Sequence, residues 1–428
     1  MSNIQSPICR SCEAPDLHTI LDLGETPLAN ALLSAEQLTE PERFYPLKLV
    51  FCSACALVQI TETVPPEQLF REYFYLSSFS DTLLRHAEGI ASQVIASHHL
   101  DGNSLVIEIA SNDGYLLQHY KRAGIPVFGI EPATNIARIA EERGVPTLCE
   151  FFGAAIAEKL RADGWLADVI HANNVLAHVP DLNGLARGIS LLLKADGVAV
   201  IEVPYVKDMI DRCEFDTIYH EHLCYFSVKS LVRLFERHGL VVSDAQRLDL
   251  HGGSLRVFIT KDSKESAARG KFGSNGQNAT PGRSASAVHS LLSEEQEWGL
   301  GEVNFYLGFS AKVENLRSDL LRLLRGLKSQ GKRIAVYGAS AKGSTLLNYF
   351  GIGKELVEFV VDRSTVKQGY YTPGTHLGIF ATEKLLDEMP DYVLLLTWNF
   401  ADEILWQQSE YRKRGGRFII PVPELKVI

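Results

Sequence analysis

The chain has 428 residues, 46% hydrophobic and 22% charged, which is enough apolar content to bury several cores and excludes general disorder. At roughly 100–200 residues per domain, two to four domains are expected. Lys and Arg total 42 against 52 Asp and Glu, a formal net charge of -10, so a global basic footprint for nucleic acid is absent and nothing favours an anionic membrane surface.

The N-terminus, from Met1 to Cys12, has neither the basic region nor the apolar stretch of a signal peptide. No run approaches the ~18 apolar residues of a membrane span, so a cytoplasmic protein is expected. Seven cysteines are present, and four form two Cys-x-x-Cys pairs, Cys9/Cys12 and Cys52/Cys55. Random placement would give only ~0.1 such pairs. Together they supply the four thiolates of a closed, structural Zn2+ site, since a catalytic zinc keeps one position open. Disulfides or redox chemistry are the alternative, disfavoured in a reducing compartment. The 39 residues between the pairs require a small subdomain, and residues 1–70 are assigned to a zinc-binding module. Cys149, Cys213 and Cys224 are dispersed and read as buried or incidental thiols.

A helix is expected from about Asp81 to Ser97. A buried strand, 104–110, then ends in the polar turn Ser111-Asn112-Asp113-Gly114. A helix over 115–122, a strand ending at Glu131-Pro132, a helix over 135–143 and strands over 168–174 and 197–204 continue the alternation. That rhythm predicts a doubly wound α/β sheet within residues 71–262. The region 205–260 departs from it, with a His-rich loop (Tyr219-His220-Glu221-His222), a helix over 228–238 and two strand-like runs. Residues 261–283 are rich in Gly, Ser, Asn and Lys and read as a linker, within a 263–300 linker-then-helix segment. Apolar positions at Val313, Leu316, Leu320, Leu323, Leu324 and Leu327 predict a long helix. A second α/β unit, assigned to 301–428, opens with the strand 333–338 and the turn Ala339-Ser340-Ala341-Lys342-Gly343.

The first strand–turn–helix is a nucleotide-type site, because the strand's carboxyl end and the helix N-terminus converge there. It reads Glu108-x-Ala110-x-x-x-Gly114 and lacks G-x-G-x-x-G, which argues for a ligand without phosphate. S-adenosylmethionine fits: Glu108 and Asp113 would welcome its sulfonium and ammonium, and Glu131 its ribose hydroxyls. An acidic turn that merely caps a helix is the alternative. The second turn offers Ser340, Lys342 and Gly343 to phosphate, or is a plain structural loop. In an extended loop Tyr219 and Glu221 would face one way, His220 and His222 the other. A histidine here suits a general base and a tyrosine an oxyanion donor, with His178 a second candidate. The bland alternative for each is a capped or surface imidazole, and the spacing does not match helical zinc motifs.

The ordered set of Cys-x-x-Cys pairs, Glu108-Ile-Ala-Ser-Asn-Asp-Gly-Tyr-Leu-Leu117, Asn174-Val-Leu-Ala-His178, Asp216-Thr-Ile-Tyr-His-Glu-His-Leu-Cys-Tyr-Phe226, His251-Gly-Gly-Ser-Leu-Arg256 and Tyr337-Gly-Ala-Ser-Ala-Lys-Gly343 resembles the sugar C-methyltransferase family. Those enzymes act on nucleotide-linked (dTDP-type) ketodeoxysugars. The resemblance implies a structural zinc module, a central class I methyltransferase domain and a C-terminal Rossmann-like domain that helps hold the nucleotide. It makes His222 the favoured general base, with Tyr219, Glu221 and His178 orienting it or stabilising an enolate. Tyr75, in preference to Tyr73, is expected to line the substrate site. Cofactor contacts are expected at Glu108, Ala110, Asn112, Asp113, Gly114, Glu131, Pro132, Phe152, Asn173 and Asn174. Substrate contacts are expected at Tyr73, His251, Ser340, Lys342 and Gly343. The expected partner is a nucleotide-diphosphate ketosugar, with no nucleic acid and no membrane. Ala110 stands where glycine is expected and Ser344 where asparagine is. O- or N-methylation of another small molecule, and a non-catalytic nucleotide-sugar-binding protein, are the competing readings. An NAD-dependent dehydrogenase is disfavoured because Gly338 to Gly343 lacks the dinucleotide spacing.

Overall fold

The computed structural model describes residues 7–71, 76–249, 252–262 and 283–428. Tyr73, Tyr75, His251 and nearly all of the expected linker lie outside the described residues.

The two cysteine pairs sit in matching knuckles. In each, the residue after the second cysteine adopts a left-handed conformation (Glu13 φ 62°, Ala56 φ 61°) and donates its N–H to the carbonyl of the first. Strands β1 (Leu17–Pro27), β2 (Phe44–Cys52) and β3 (Val58–Ile60) form an antiparallel sheet on this module.

The central sheet begins with β4 (Val106–Ile109), β5 (Val127–Ile130), β6 (Thr147–Leu148), β7 (Ala167–Asn173) and β8 (Leu193–Pro204). These strands pair in parallel, and Val198 to Val203 are all buried, as expected for a strand covered on both faces. Helix α1 (Pro66–Phe70) leads in, and α2 (Asp81–His98) starts at Ser80, whose side chain accepts from the Leu83 N–H. Its apolar positions Leu83, Ala87, Ile90, Ala91 and Val94 fall on one buried face. The strands are joined by α3 (Leu117–Arg122), α4 (Thr134–Glu142), α5 (Ala154–Ala162) and α6 (Leu182–Leu192). After α7 (Val206–Asp211) comes β9 (Cys224–Tyr225), which leaves the central domain and pairs with β3 of the zinc module. Helix α8 (Val228–Glu236) follows, and β10 (Leu240–Leu248) and β11 (Ser254–Lys261) complete the sheet. Its order is β10-β11-β8-β7-β4-β5-β6, with β11 antiparallel to β8.

Helices α9 (Arg283–Glu297) and α10 (Val303–Ser329) bridge to the last sheet. Glu295 accepts the first-turn amides of α8 at 2.7 and 2.9 Å, so α9 caps a buried helix end. The final sheet contains β12 (Ile334–Tyr337), β13 (Val360–Val361), β14 (Ile379–Phe380), β15 (Tyr392–Leu395), β16 (Arg417–Ile420) and β17 (Lys426–Val427). Its order is β14-β13-β12-β15-β16-β17, parallel except for the last strand. Helix α11 (Ala341–Phe350) follows β12. One apolar core is continuous through all three sheets, joining Phe51, Ile170 and Val336. Among the described residues no helix is long and apolar enough to cross a membrane.

Candidate active site

A cavity of about 500 Å³ opens at the carboxyl ends of β4, β5, β7 and β8, within the range of small-molecule sites. Of the residues expected to hold a cofactor, Ala110, Asn112, Glu131, Pro132, Phe152, Asn173 and Asn174 line it. The Asn112 N–H and the Ala133 N–H both donate to the Glu131 carboxylate at 2.9 Å, which fixes the turn after β4 to the end of β5. Burial raises the Glu131 carboxyl above its ordinary range despite those two donors.

Glu108, Asp113 and Gly114, also expected at the cofactor, are not among the residues lining the cavity. Strand alternation turns Glu108 away from Ile107 and Ile109 into full burial, where one carboxylate oxygen has no hydrogen-bond partner among the described residues. Asp113 pairs with Arg143 at 2.7 Å and ties the turn to α4's end.

The residues present fit S-adenosylmethionine. Apart from the end that carries Lys342 and Glu214, the described lining residues include Glu67, Glu131 and Asp181 and no lysine or arginine. An acidic wall suits a cationic sulfonium and ammonium and does not suit phosphate.

The other end of the cavity carries His178, Glu214, Thr217, His222, Tyr225, Lys342 and Asn399. Residues 219–222 form a turn rather than an extended loop, closed by the His222 N–H donating to the Tyr219 carbonyl at 2.8 Å. The expected alternation is therefore overturned: a turn brings its first and fourth residues together. Tyr219 lies over the His222 ring with centroids 4.1 Å apart, and its hydroxyl is 2.9 Å from Nε2. The His222 Nδ1–H donates to the Thr217 carbonyl at 2.8 Å, which leaves Nε2 as the acceptor for the tyrosine. His178 Nδ1 likewise donates to the Glu221 carbonyl at 2.7 Å, and the two imidazole rings stand 4.9 Å apart. Burial holds both histidines neutral, His178 down to about 4 and His222 well below its ordinary value.

Tyr219 and Glu221 stand behind this wall. Glu221 accepts from Asn30 Nδ2 of the zinc module at 2.7 Å, and burial raises it to about 7. His220 faces away, its Nε2 on the Pro46 carbonyl at 3.1 Å. The turn is thus held from three sides. The zinc module contributes β3 and Asn30, and the central domain the Ala177 carbonyl, which accepts from the Leu223 N–H. From the C-terminal domain, Thr345 Oγ1 donates to the Ile218 carbonyl and Trp398 Nε1 to Asp216 at 2.7 Å.

Lys342 reaches the cavity from the start of α11, its ammonium 4.4 Å from the Trp398 ring centroid. Ser340 and Gly343 do not line it: the Ser340 side chain is taken by the Gly343 N–H, as the cap of α11. Sequence reasoning singled out none of Glu214, Thr217, Tyr225 and Asn399 as site residues. Thr217 and Tyr225 lie inside the Asp216–Phe226 motif and Glu214 two residues before it, so membership of or proximity to a motif was the available signal.

The four paired cysteines have sulfurs all within 4.8 Å of one another, with Cys9–Cys55 and Cys12–Cys52 at 3.5 Å. A tetrahedral zinc at about 2.3 Å from each sulfur needs S···S spacings near ~3.8 Å, so the quartet fits the ion.

Three family models match in series: a zinc binding domain over residues 9–70, a methyltransferase domain over 83–245 and a C-methyltransferase C-terminal domain over 249–423. The chain is 36% identical over 430 aligned residues to C-methyltransferase NovU of Streptomyces niveus, covering 100% of this chain and 99% of that one. It is 25% identical over 176 residues to a ubiquinone biosynthesis O-methyltransferase of Methylobacterium sp. (strain 4-46), covering 37% of this chain and 68% of the other. Among solved structures, an S-adenosylmethionine-dependent methyltransferase from Clostridium acetobutylicum ATCC 824 aligns at 10% identity and TM-score 0.35, over 42% of this chain and 92% of its own.

Proposed function

The chain belongs to the C-methyltransferase family, as an S-adenosylmethionine-dependent enzyme with an N-terminal zinc module, and on that premise we propose that it methylates a carbon beside the ketone of a nucleotide-linked deoxysugar through an enolate. The observation that carries this reading is the pair of neutral imidazoles, His178 and His222, on the same cavity wall system as the cofactor turn.

A carbon next to a ketone is acidic enough for a well-placed neutral imidazole to deprotonate. His222 takes that proton at Nε2. To free the lone pair, the Tyr219 hydroxyl gives up its bond to Nε2 and yields that place to the substrate C–H. The Thr217 carbonyl keeps the ring oriented through Nδ1. The bonding pair moves into the ketone, and the oxygen becomes an enolate facing the ammonium of Lys342, the cation lining this end. Bound S-adenosylmethionine supplies the electrophilic methyl group that the enolate carbon takes from sulfur. His222 then returns its proton to solvent.

His178→Ala tests a second base. Its Nδ1 is fixed on the Glu221 carbonyl, so its Nε2 is the acceptor, whereas that of His222 is already engaged by Tyr219. With a nucleotide 4-ketosugar in deuterated buffer and S-adenosylhomocysteine bound, exchange of the proton beside the ketone reads enolisation without transfer. His222→Ala is expected to lower exchange and methylation together by about 100-fold or more, while S-adenosylmethionine affinity survives. Near-normal exchange in that variant, with loss in His178→Ala, would move the base to His178. Absence of exchange in the unaltered enzyme during active methylation would favour an O- or N-acceptor.

A further inference from the structure

Glu214 occupies the chain between α7 and the turn at 215–217. Its backbone is fully used: the N–H donates to the Met209 carbonyl at 2.9 Å, and its carbonyl accepts both the N–H and the hydroxyl of Thr217. Its side chain is not used in that way. The residue is 4% exposed, lines the cavity, and its Oε1 has no hydrogen-bond partner among the described residues. Of its acidic neighbours, Asp208 is held by Arg247 at 2.8 Å, and Asp216 accepts from the Trp398 indole through Oδ2 at 2.7 Å while its Oδ1 has no partner among the described residues. Space for the carboxyl is made by Gly252, where a Cβ would stand 2.6 and 2.7 Å from the two Glu214 oxygens.

A carboxyl buried with a bare oxygen is a standing cost to the fold. Nothing among the described residues relieves it, and the residue lies in the cavity wall. The position in the cavity identifies what would relieve it. Glu214 precedes Thr217 by three residues, and the Thr217 carbonyl holds the His222 ring, so Glu214 belongs to the deprotonation end and not to the cofactor turn. Burial raises its carboxyl to about 8, with Lys342 pulling the other way, so near neutral pH the group offers both an acceptor oxygen and an O–H.

We propose that Glu214 is a specificity-determining residue that reads a hydrogen-bond donor, a hydroxyl or an amino group, carried by the acceptor sugar close to its reacting carbon. This rests on the nucleotide-ketosugar reading above. A site built around a polar partner discriminates strongly against an analogue that lacks it, because the analogue leaves the buried group bare.

The test uses the full chain loaded with zinc. Four probes are compared: dTDP-4-keto-6-deoxyglucose, its 2-deoxy form, its 3-deoxy form and its 3-amino-3-deoxy form. Methylation of each is measured with the unaltered enzyme, Glu214→Ala and Glu214→Gln, and probe affinity is measured by calorimetry with S-adenosylhomocysteine bound. The unaltered enzyme is expected to favour donor-bearing probes over the matching deoxy probe by about 100-fold in kcat/KM. Glu214→Ala should lose that preference by slowing donor-bearing probes about 50-fold and the deoxy probe less than ~3-fold. Glu214→Gln should retain most of the preference for a hydroxyl, and lose it for an amino group that pairs with a carboxylate. Unchanged S-adenosylmethionine affinity in the variants shows that the fold is kept. A uniform fall across all probes, or no change in any, overturns the proposal. An unaltered enzyme that neither binds nor methylates any probe overturns the ketosugar reading and takes this inference with it.

Discussion

Ala110 and Asn112 hold φ values of 51° and 49° in the turn after β4, a region that side chains with a Cβ disfavour. For Ala110 that costs about 1–2 kcal/mol, of which glycine's greater chain entropy would take back about 0.5–1 kcal/mol. Ala110→Gly is therefore expected to stabilise the protein by about 0.5 kcal/mol in thermal or urea unfolding. A loss of stability would show that the turn is not strained. The glycine-like position was legible in the sequence because the motif around it expects that residue. The Tyr219–His222 pair was not, since tight turns and extended loops are both compatible with Tyr-His-Glu-His. The Tyr219 hydroxyl donates to the neutral ring, so removing it favours the protonated form. In Tyr219→Phe the acidic limb of the kcat/KM profile should move to higher pH, and a limb that stays in place would detach the tyrosine from the base. The unaltered enzyme should keep its activity at pH 6, because the base is depressed below the ordinary histidine range. Glu214 supplies a sign for stability. Its folded-state pKa, about 8, lies above the unfolded value, so its contribution is present below about pH 4.5 and is lost as pH rises through 8. Glu214→Gln should therefore lose less melting temperature between pH 6 and 9 than the unaltered protein.

At the scale of elements, period and punctuation did most of the work that sequence can do. The helix at 81–98 and the alternating strands of the central sheet follow from local apolar patterning, and their ends from caps such as Ser80. Of the apolar run 356–362 only Val360–Val361 is regular strand, although Glu358 and Phe359 exchange backbone hydrogen bonds with Ile334 and Val336 and the Asp362 N–H donates to the Phe380 carbonyl. What pattern could not reveal were pairings between distant segments. Two-residue β9 has no periodicity to read, yet it closes the zinc module's sheet through Val58–Tyr225 and Gln59–Cys224. The Trp398 indole on Asp216 spans 182 residues of sequence in the same way. Trp398→Phe leaves that buried carboxyl without its donor. A loss of about 1–3 kcal/mol in unfolding is expected, with methylation impaired more than S-adenosylmethionine binding, because Asp216 sits in the turn and not at the cofactor end.

The whole molecule places one short turn among three sheets. Two to four domains, read from length, become three sheets that share a continuous core, so the units are not independent beads. The net charge of -10 takes on a local meaning as well: the described cavity wall is itself acidic, with Lys342 as its one lysine or arginine. On the proposed nucleotide-linked substrate, the diphosphate would find its counter-charge outside the described cavity wall. The zinc module touches the turn through β3 and Asn30. Chelation of zinc, or Cys9→Ser, should abolish methylation while S-adenosylmethionine binding, measured by calorimetry, is retained to within about tenfold. Equal loss of both would mean that the module supports the entire fold.

The partner of β3 also sets an order of events during synthesis. All four zinc ligands have left the ribosome once residue 55 is out, so the metal can be captured early. The outer edge of β3, which ends at Ile60, stays bare until Cys224–Tyr225 arrives more than 160 residues later. Through that interval a half-finished chain displays an open, apolar strand edge, the kind of surface on which nascent chains stick to one another.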